Sequence, residues 1–273
     1  MKLTYTILEN QLLKYYLEKL DIQGKLLANI KTQGDLRVNG EHVTVRYELQ
    51  VGDILEIVFP QETRGEQMDP VKMDLDIVYE DEYLLVINKP PHIPCIPDHR
   101  YHVSLANGIL YYYDQIHLDS TVHFVNRLDK ETSGLLIVAK YRYIHHLLSG
   151  NHINRKYYAL VDGIIDHDLS IYKRIGRNGL NVRRIICEDG KDALTDVRVI
   201  KHKENQTLVE CTLHTGRTHQ IRVHLSSISH PLSGDTLYGS TTGDTYYLHS
   251  YYLQFIHPIT HQKIELIKER EIL

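Results

Sequence analysis

The chain has 273 residues, of which 42% are hydrophobic and 24% are charged, a composition that argues against a disordered chain and against a fibre. Its apolar runs, such as Gly134–Ala139, are far shorter than the ~18 residues that cross a bilayer. Three widely separated cysteines with no CxxC pair argue against a disulfide framework and a cysteine zinc knuckle. We therefore expect a cytoplasmic protein with no membrane segment and no signal peptide.

The first 60 residues are predicted to form a compact unit. Apolar side chains recur at helical spacing from Leu12 to Leu20, and Leu26 begins a second helical pattern. Two short extended segments then meet at the Asn39-Gly40 turn, and the alternation over 51–58 predicts a final strand. Residues 61–74 are polar and contain proline and glycine, which predicts a linker.

Strand patterns dominate the remainder, residues 75–273. An acidic turn joins a predicted strand pair within 76–87, and further strands are expected at 135–138, 157–161, 193–200 and 207–213. Short helices are expected near 141–149 and 218–228. Because strands and helices do not alternate regularly, the pattern favours an α+β domain built on a largely antiparallel mixed sheet.

The most distinctive stretch runs from Val125 to Lys140. A polar turn that holds Arg127 and Asp129 leads directly into a wholly apolar strand. The spacing places one arginine and one aspartate at the mouth of a buried strand. A capping aspartate and an incidental arginine would give the same pattern, because such residues are common in turns.

A second distinctive stretch runs from Leu213 to Leu225. Thr218 is predicted to cap a helix with a buried stripe of Ile221, Leu225 and Ile228. Arg217 and Arg222 would then form an anion-attracting corner with the exposed helix amides. The three histidines here recur at intervals of five, which does not align them as a metal pair, so no metal site is expected.

Charge is distributed unevenly along the chain, whose formal net charge is −4. The segment 173–184, called the basic segment below, has five cations and no acid. It is either a polyanion-binding surface or a solvated hairpin. Its cations are Lys173, Arg174, Arg177, Arg183 and Arg184.

Together these stretches resemble the RluA/RluD-type pseudouridine synthases. Asn126-Arg-Leu-Asp129 with Gly134-Leu-Leu136 is similar to the HRLDxxTSGLL motif, and Leu213–His224 is similar to TGRTHQIRxH. The segment 230–239 matches HPxxGDxxYG, 155–163 resembles KxYxALVxG, and 88–91 resembles NKPxG. The amino-terminal unit is similar, more weakly, to the alpha-L RNA-binding module, on 34–40 and 51–53.

The resemblance implies a pseudouridine-synthase fold preceded by a small α/β RNA-binding module, and an enzyme that isomerises uridine in RNA without a cofactor. It implies that Asp129 is the catalytic nucleophile or base and that Arg222 pairs with it, with Arg217 as the second choice. Tyr157 corresponds to a tyrosine that packs on the flipped base.

The resemblance also implies RNA contacts for several cations. Arg127 would fill the space left by the flipped nucleotide or contact a phosphate, and Lys89 would support the pocket or bind phosphate. The basic segment and the amino-terminal module would bind RNA by its backbone and shape. Structured ribosomal RNA is the expected substrate, with transfer RNA as the alternative, and a monomer is the default expectation.

One position departs from the family motif inside the predicted site. The family's histidine before Arg-Leu-Asp is Asn126 here, which keeps hydrogen-bonding capacity but loses the ring and its charge. The alternative hypothesis is therefore a non-catalytic RNA-binding protein that retains the fold. The aspartate, to which the family's chemistry is assigned, is intact.

Overall fold

The computed structural model describes residues 1–64, 68–98, 100–177, 179 and 183–270. Contacts between Cα atoms divide the chain into two compact units. The first unit comprises Met1–Gln67 with Tyr113–Thr121, and the second comprises Met68–Tyr112 with Val122–Leu273.

The first unit contains a four-stranded antiparallel sheet in the order β1-β6-β3-β4, a short β2–β5 pair and two helices. The predicted Asn39-Gly40 turn is confirmed, because both residues have positive φ, 52° and 87°, as a tight hairpin between right-twisted strands requires. Both predicted helices are also confirmed. The elements are β1 Lys2–Thr6, β2 Gln11–Leu12, α1 Leu13–Lys19, α2 Gly24–Gln33, β3 Asp35–Val38, β4 Glu41–His42, β5 Glu48–Leu49 and β6 Ile54–Val58.

The second unit is built on a ten-stranded sheet. Its main path has the order β12-β15-β16-β11-β17-β10-β8-β7, with β18 added to β17 and β9 added to β10. A separate β13–β14 hairpin accompanies it. The strands are β7 Ile77–Glu80, β8 Leu84–Lys89, β9 His123–Phe124, β10 Ser133–Ala139, β11 Asn154–Asp162, β12 Leu169–Tyr172, β13 Ile175–Arg177, β14 Arg184–Ile186, β15 Leu194–Lys203, β16 Gln206–Leu213, β17 Leu248–Ile256 and β18 Lys263–Ile267.

The sheet is mixed because β10 and β17 run parallel, whereas the other pairings within the described residues are antiparallel. Gly134 makes the parallel contact possible. Its φ is 109°, and a Cβ at this position would lie 2.3 Å from the carbonyl oxygen of Ser250. A residue with a side chain could not occupy this position without moving β10 away from β17. The predicted α+β class and largely antiparallel sheet are therefore confirmed.

The second unit contains the helices α4 Arg142–Ser149 and α5 Gln220–Ser226 and a short 3-10 helix, Thr236–Tyr238. Helix α3, Leu105–Gln115, begins in this unit, and its residues from Tyr113 on belong to the first. The sequence patterns indicated α4 and α5 but not α3, whose first turn contains Asn107-Gly108, a pair typical of turns. In the structure Asn107 Oδ1 accepts hydrogen bonds from the backbone N–H and the hydroxyl of Ser104, at 2.9 and 2.7 Å. The asparagine thus closes the helix start.

The predicted cap of α5 was wrong. Thr218 is exposed and lies outside the helix, whose N-cap is His219 in the left-handed conformation with φ 57°. The start of α5 is organised by Gln220, whose Oε1 accepts from the Arg217 N–H and the Thr215 hydroxyl, at 2.9 and 2.8 Å.

Candidate active site

Asp129 lies in the loop that leads from β9 into β10, a strand of the ten-stranded sheet. The loop is pinned to β10, because Asn126 Oδ1 accepts a hydrogen bond from the Ile137 N–H at 2.8 Å. The Thr132 N–H closes a turn on the Asp129 carbonyl at 3.1 Å. The Asp129 side chain keeps 26% of its surface exposed. A fixed loop therefore presents one carboxylate that substrate can reach.

Lys89 was predicted to support the pocket or to bind phosphate, and in the structure its side chain holds this loop in place. Its side chain is fully buried at the end of β8. The Nζ atom donates to the carbonyl oxygens of Pro90, Ile93 and Lys130, at 2.9, 2.9 and 3.0 Å. All three ammonium donors are thus used by backbone, so Lys89 supports the pocket and has none left for a phosphate. Burial lowers the pKa of Lys89 to about 8.

Arg222, on α5, joins two carboxylates. Its Nη1 donates to Asp129 Oδ2 at 2.9 Å, while Nε and Nη2 donate to the two carboxylate oxygens of Asp235 at 2.6 and 2.9 Å. We call Asp129, Arg222 and Asp235 the Arg222 cluster. Two rings cover the guanidinium, with the centroids of Tyr246 and Tyr238 at 4.6 and 4.9 Å from its Cζ.

The Arg222 cluster keeps its cation charged. Burial lowers the pKa of Arg222, but the hydrogen bonds to Asp235 and the charge of Asp129 outweigh it and raise that pKa above the ordinary value. Asp235 is almost wholly buried. A bidentate, charge-assisted pair of this kind fixes the orientation of the guanidinium. Its remaining edge is therefore directed at Asp129.

Aromatic and imidazole groups line the space beside Asp129. Tyr157 on β11 and Tyr246 line the cleft, and burial raises the pKa of each phenol. His219 Nε2 lies 3.7 Å from Asp129 Oδ2, and its Nδ1 lies 2.9 Å from the Tyr238 hydroxyl. Burial lowers the pKa of His219, which favours the neutral imidazole.

These groups line an open cleft with a volume of about 820 Å³, within the second unit. That volume is within the range of small-molecule sites. The structure brings six of the eleven residues predicted for the site to this lining: Asp129, Tyr157, Arg222, Arg127, Arg217 and Arg184.

Arg217 does not take the place of Arg222 beside Asp129. It is exposed, and its Nε donates to the carbonyl oxygen of Asp192 at 3.0 Å. Both arginines line the cleft, but Arg222 is already engaged by two carboxylates, so the predicted contact of Arg217 with RNA stays a prediction.

Two members of the basic segment are engaged by neighbouring groups. Lys173 Nζ donates to the carbonyl and the hydroxyl oxygen of Ser227, both at 3.1 Å. Arg174 is exposed and pairs with Asp192 at 2.9 Å. Their predicted contacts with RNA would compete with these bonds.

The other three cations of the basic segment are Arg177, Arg183 and Arg184. Arg177 ends β13 and is exposed. Arg183 lies over the Tyr238 ring, 5.4 Å from its centroid, and Arg184 lines the cleft. Residues 178 and 180–182 of this segment lie outside the described residues. The basic segment thus reaches the cleft through Arg184.

Sequence reasoning missed several residues that the structure places in the site. Asp235 and Tyr238 lie in the segment that matches HPxxGDxxYG, so the motif was visible although no role was assigned to its members. Tyr246 has no signal in the sequence, because it reaches the cleft from a loop without a helical or strand period. Among the described residues, no three His, Cys, Asp or Glu side chains are placed to hold a metal ion.

The described part of the chain has no helix that is long and apolar enough to cross a membrane.

Residues 83–227 match the family model described as RNA pseudouridylate synthase. The chain is 43% identical over 261 residues to the uncharacterized RNA pseudouridine synthase YjbO of Bacillus subtilis, an alignment that covers 92% of each chain. It is 32% identical to the ribosomal large subunit pseudouridine synthase D of Vibrio cholerae, with 97% of this chain and 90% of that one covered.

Among solved structures, human RNA pseudouridylate synthase domain containing 1 matches with a TM-score of 0.60 and 29% identity. That alignment covers 74% of this chain and 86% of the human one. The chain therefore belongs to the RluA/RluD-type family and is an RNA pseudouridine synthase, as its motifs predicted.

Proposed function

We propose that this enzyme isomerises specific uridines of ribosomal RNA to pseudouridine, with Asp129 acting on a uridine flipped out into the cleft. The observation that carries the proposal is the Arg222 cluster, in which a guanidinium fixed by Asp235 holds the reachable carboxylate of Asp129. The relatives named for the ribosomal large subunit, such as the 37% identical enzyme of Zymomonas mobilis, support ribosomal RNA as the substrate.

The reaction needs a carboxylate that is charged and correctly placed. The bond between uracil N1 and the sugar C1′ breaks, the base turns, and a bond from C5 to C1′ forms. The proton at C5 leaves and N1 gains one, so no atom is added or lost. Asp129 supplies a negative group for attack at C1′, for removal of a sugar proton or for addition to the base. Arg222 holds that carboxylate in place through a charge-assisted hydrogen bond of 2.9 Å.

The cleft supports entry of a nucleotide outside the RNA stack. Unstacking a base costs a few kcal/mol, and contacts in the pocket must offset this cost. The Tyr157 and Tyr246 rings offer flat apolar surfaces for the uracil. Arg127 and Arg184, which line the cleft, are placed to contact phosphates of the flanking nucleotides.

The test is to incubate the purified protein with unmodified transcripts of ribosomal large-subunit RNA and of transfer RNAs. Pseudouridine is mapped by selective chemical labelling, with the Asp129→Asn variant beside the wild type. We expect new pseudouridine in ribosomal RNA with the wild type alone. Product only in transfer RNA would replace the proposed substrate, and equal product from Asp129→Asn would remove the aspartate from the chemistry.

A further inference from the structure

One of the arginines that line the cleft, Arg155, has no partner among the described residues. Arg155 is half-buried on β11, two residues before Tyr157, and both side chains line the cleft with Asp129. Within the described part of the chain, no carboxylate pairs with the Arg155 guanidinium and no oxygen accepts from it. Its Nε atom is buried and has no hydrogen-bond partner. Buried guanidinium donors normally have a hydrogen-bond acceptor. The Arg155 Nε atom therefore needs an acceptor that the described residues do not supply.

The position of Arg155 is set by packing. A Cβ on Gly216, in the loop before α5, would lie only 3.1 and 3.2 Å from the Arg155 Nη1 and Nη2 atoms. The guanidinium therefore lies against the backbone of a residue that has no side chain. Gly216 and Arg155 both line the cleft.

The substrate supplies the missing acceptor. Asp129 already has a charged partner in Arg222, so Arg155 is not needed to neutralise it. The uracil base and the ribose of a uridine are neutral, and the anion of a nucleotide within RNA is its phosphodiester. A planar guanidinium edge matches the oxygens of that group in two parallel hydrogen bonds.

We propose that Arg155 binds the phosphodiester next to the target uridine and so fixes the sugar over Asp129. The inference rests on the proposed function and adds a substrate-binding residue to it. Binding at this phosphate would place the anomeric carbon relative to the carboxylate, because the phosphate and the ribose are joined by short covalent links.

The test uses a short RNA that carries the mapped uridine and a single methylphosphonate, which removes one negative charge, at either its 5′ or its 3′ linkage. Wild type and Arg155→Gln are compared on the charged and the neutral RNAs. We expect one neutral linkage to lower kcat/KM of the wild type by about tenfold or more, since a hydrogen bond between charged groups is lost. The same linkage should change kcat/KM of Arg155→Gln by less than about twofold, because the variant lacks that bond.

Arg198→Gln is the matched control, since Arg198 is an exposed arginine on β15 that pairs with Glu210 at 3.2 Å. It should respond to the methylphosphonates as the wild type does. Arg155→Lys, which keeps the charge without the planar edge, should have intermediate activity and keep its sensitivity to the same linkage. Thermal unfolding of each variant identifies a loss that comes from misfolding.

Full wild-type activity in Arg155→Gln would overturn the inference. So would losses from the variant and from the neutral linkages that multiply, since the two changes would then act on different contacts. If the wild type forms no pseudouridine in any RNA, the proposed function fails separately. In that case the methylphosphonates are placed in a short uridine-containing RNA that the wild type binds. Equal ratios of affinity between the charged and neutral RNAs in wild type and Arg155→Gln would then contradict the contact.

Discussion

The Arg222 cluster and the basic segment are two concentrations of charge that differ in burial. In the Arg222 cluster one guanidinium is enclosed by two carboxylates and two rings. In the basic segment Arg174 and Arg177 are exposed, and solvent screens their interactions. Charge that is buried and fixed has a defined orientation for chemistry, whereas exposed charge attracts a polyanion without orienting it. Mutations in the Arg222 cluster should therefore change turnover and stability, whereas mutations in the basic segment should change RNA affinity.

The largest expected effect is the loss of turnover in Asp129→Asn. The amide keeps the size of the side chain but removes the negative group that each chemical route requires. We expect kcat to fall by about a thousandfold or more, with RNA affinity nearly unchanged. Single-turnover formation of pseudouridine and a separate binding measurement check this prediction. A comparable fall in affinity would mean that Asp129 acts mainly in binding.

The sequence predicted Asp129 and Arg222 because both lie in long, specific motifs whose members are close in the fold. It did not show the second partner of Arg222, since Asp235 is thirteen residues away and only the folded chain brings the two together. For Lys89 the sequence left two roles open, support of the pocket and binding of phosphate, and could not choose between them. A lysine in a sequence suggests an exposed cation, and only the carbonyls of three separate residues explain a buried one.

The secondary structure was likewise predicted where a local pattern records it and missed where only tertiary pairing determines it. Strand alternation predicted β7, β8 and the core of β11, because each alternates or ends at a marked turn. The pattern did not predict β17, which lies next to β10 and β11 at the middle of the sheet. Its buried histidine and serine, His249 and Ser250, resemble loop residues when read locally. Tertiary pairing, which no local pattern records, makes that segment a strand.

The second prediction compares a buried partner with an exposed one. Asp235→Asn leaves the buried guanidinium of Arg222 without one of its two anions. We expect the free energy of unfolding of this unit to fall by about 3 kcal/mol, together with kcat. Asp192→Asn removes the exposed partner of Arg174, and should lower the free energy of unfolding far less, because solvent screens this pair. Equal losses in denaturant unfolding would contradict the distinction between the two regions.

The third prediction concerns pH and Lys89. Burial lowers the folded-state pKa of Lys89 from 10.5 to about 8, so above pH 8 the unfolded chain holds more protons at this group than the folded chain. The stability that Lys89 contributes therefore rises between about pH 8 and pH 10.5. We expect the difference in free energy of unfolding between wild type and Lys89→Met to shift toward the wild type by about 3 kcal/mol across that range.

Lys263→Met is the control for this pH dependence, because Lys263 is an exposed lysine on β18. Its difference from the wild type should stay nearly constant over the same range. Chemical denaturation at a series of pH values checks both variants. If the difference in free energy of unfolding between wild type and Lys89→Met does not change with pH, the Lys89 ammonium of the wild type stays protonated throughout, held by its three carbonyl partners.

The smallest expected effect is in the basic segment, and it should be in affinity. The double variant Arg174→Gln, Arg177→Gln removes two exposed cations that lie outside the Arg222 cluster. If these side chains contact phosphates, RNA affinity should fall by about tenfold, and the slope of log K against log salt should become shallower by one to two units. The rate at saturating RNA should not change, because neither side chain orients the reacting groups. A lower saturating rate with an unchanged salt slope would instead place the basic segment in the chemistry, and the contrast between fixed and screened charge would fail.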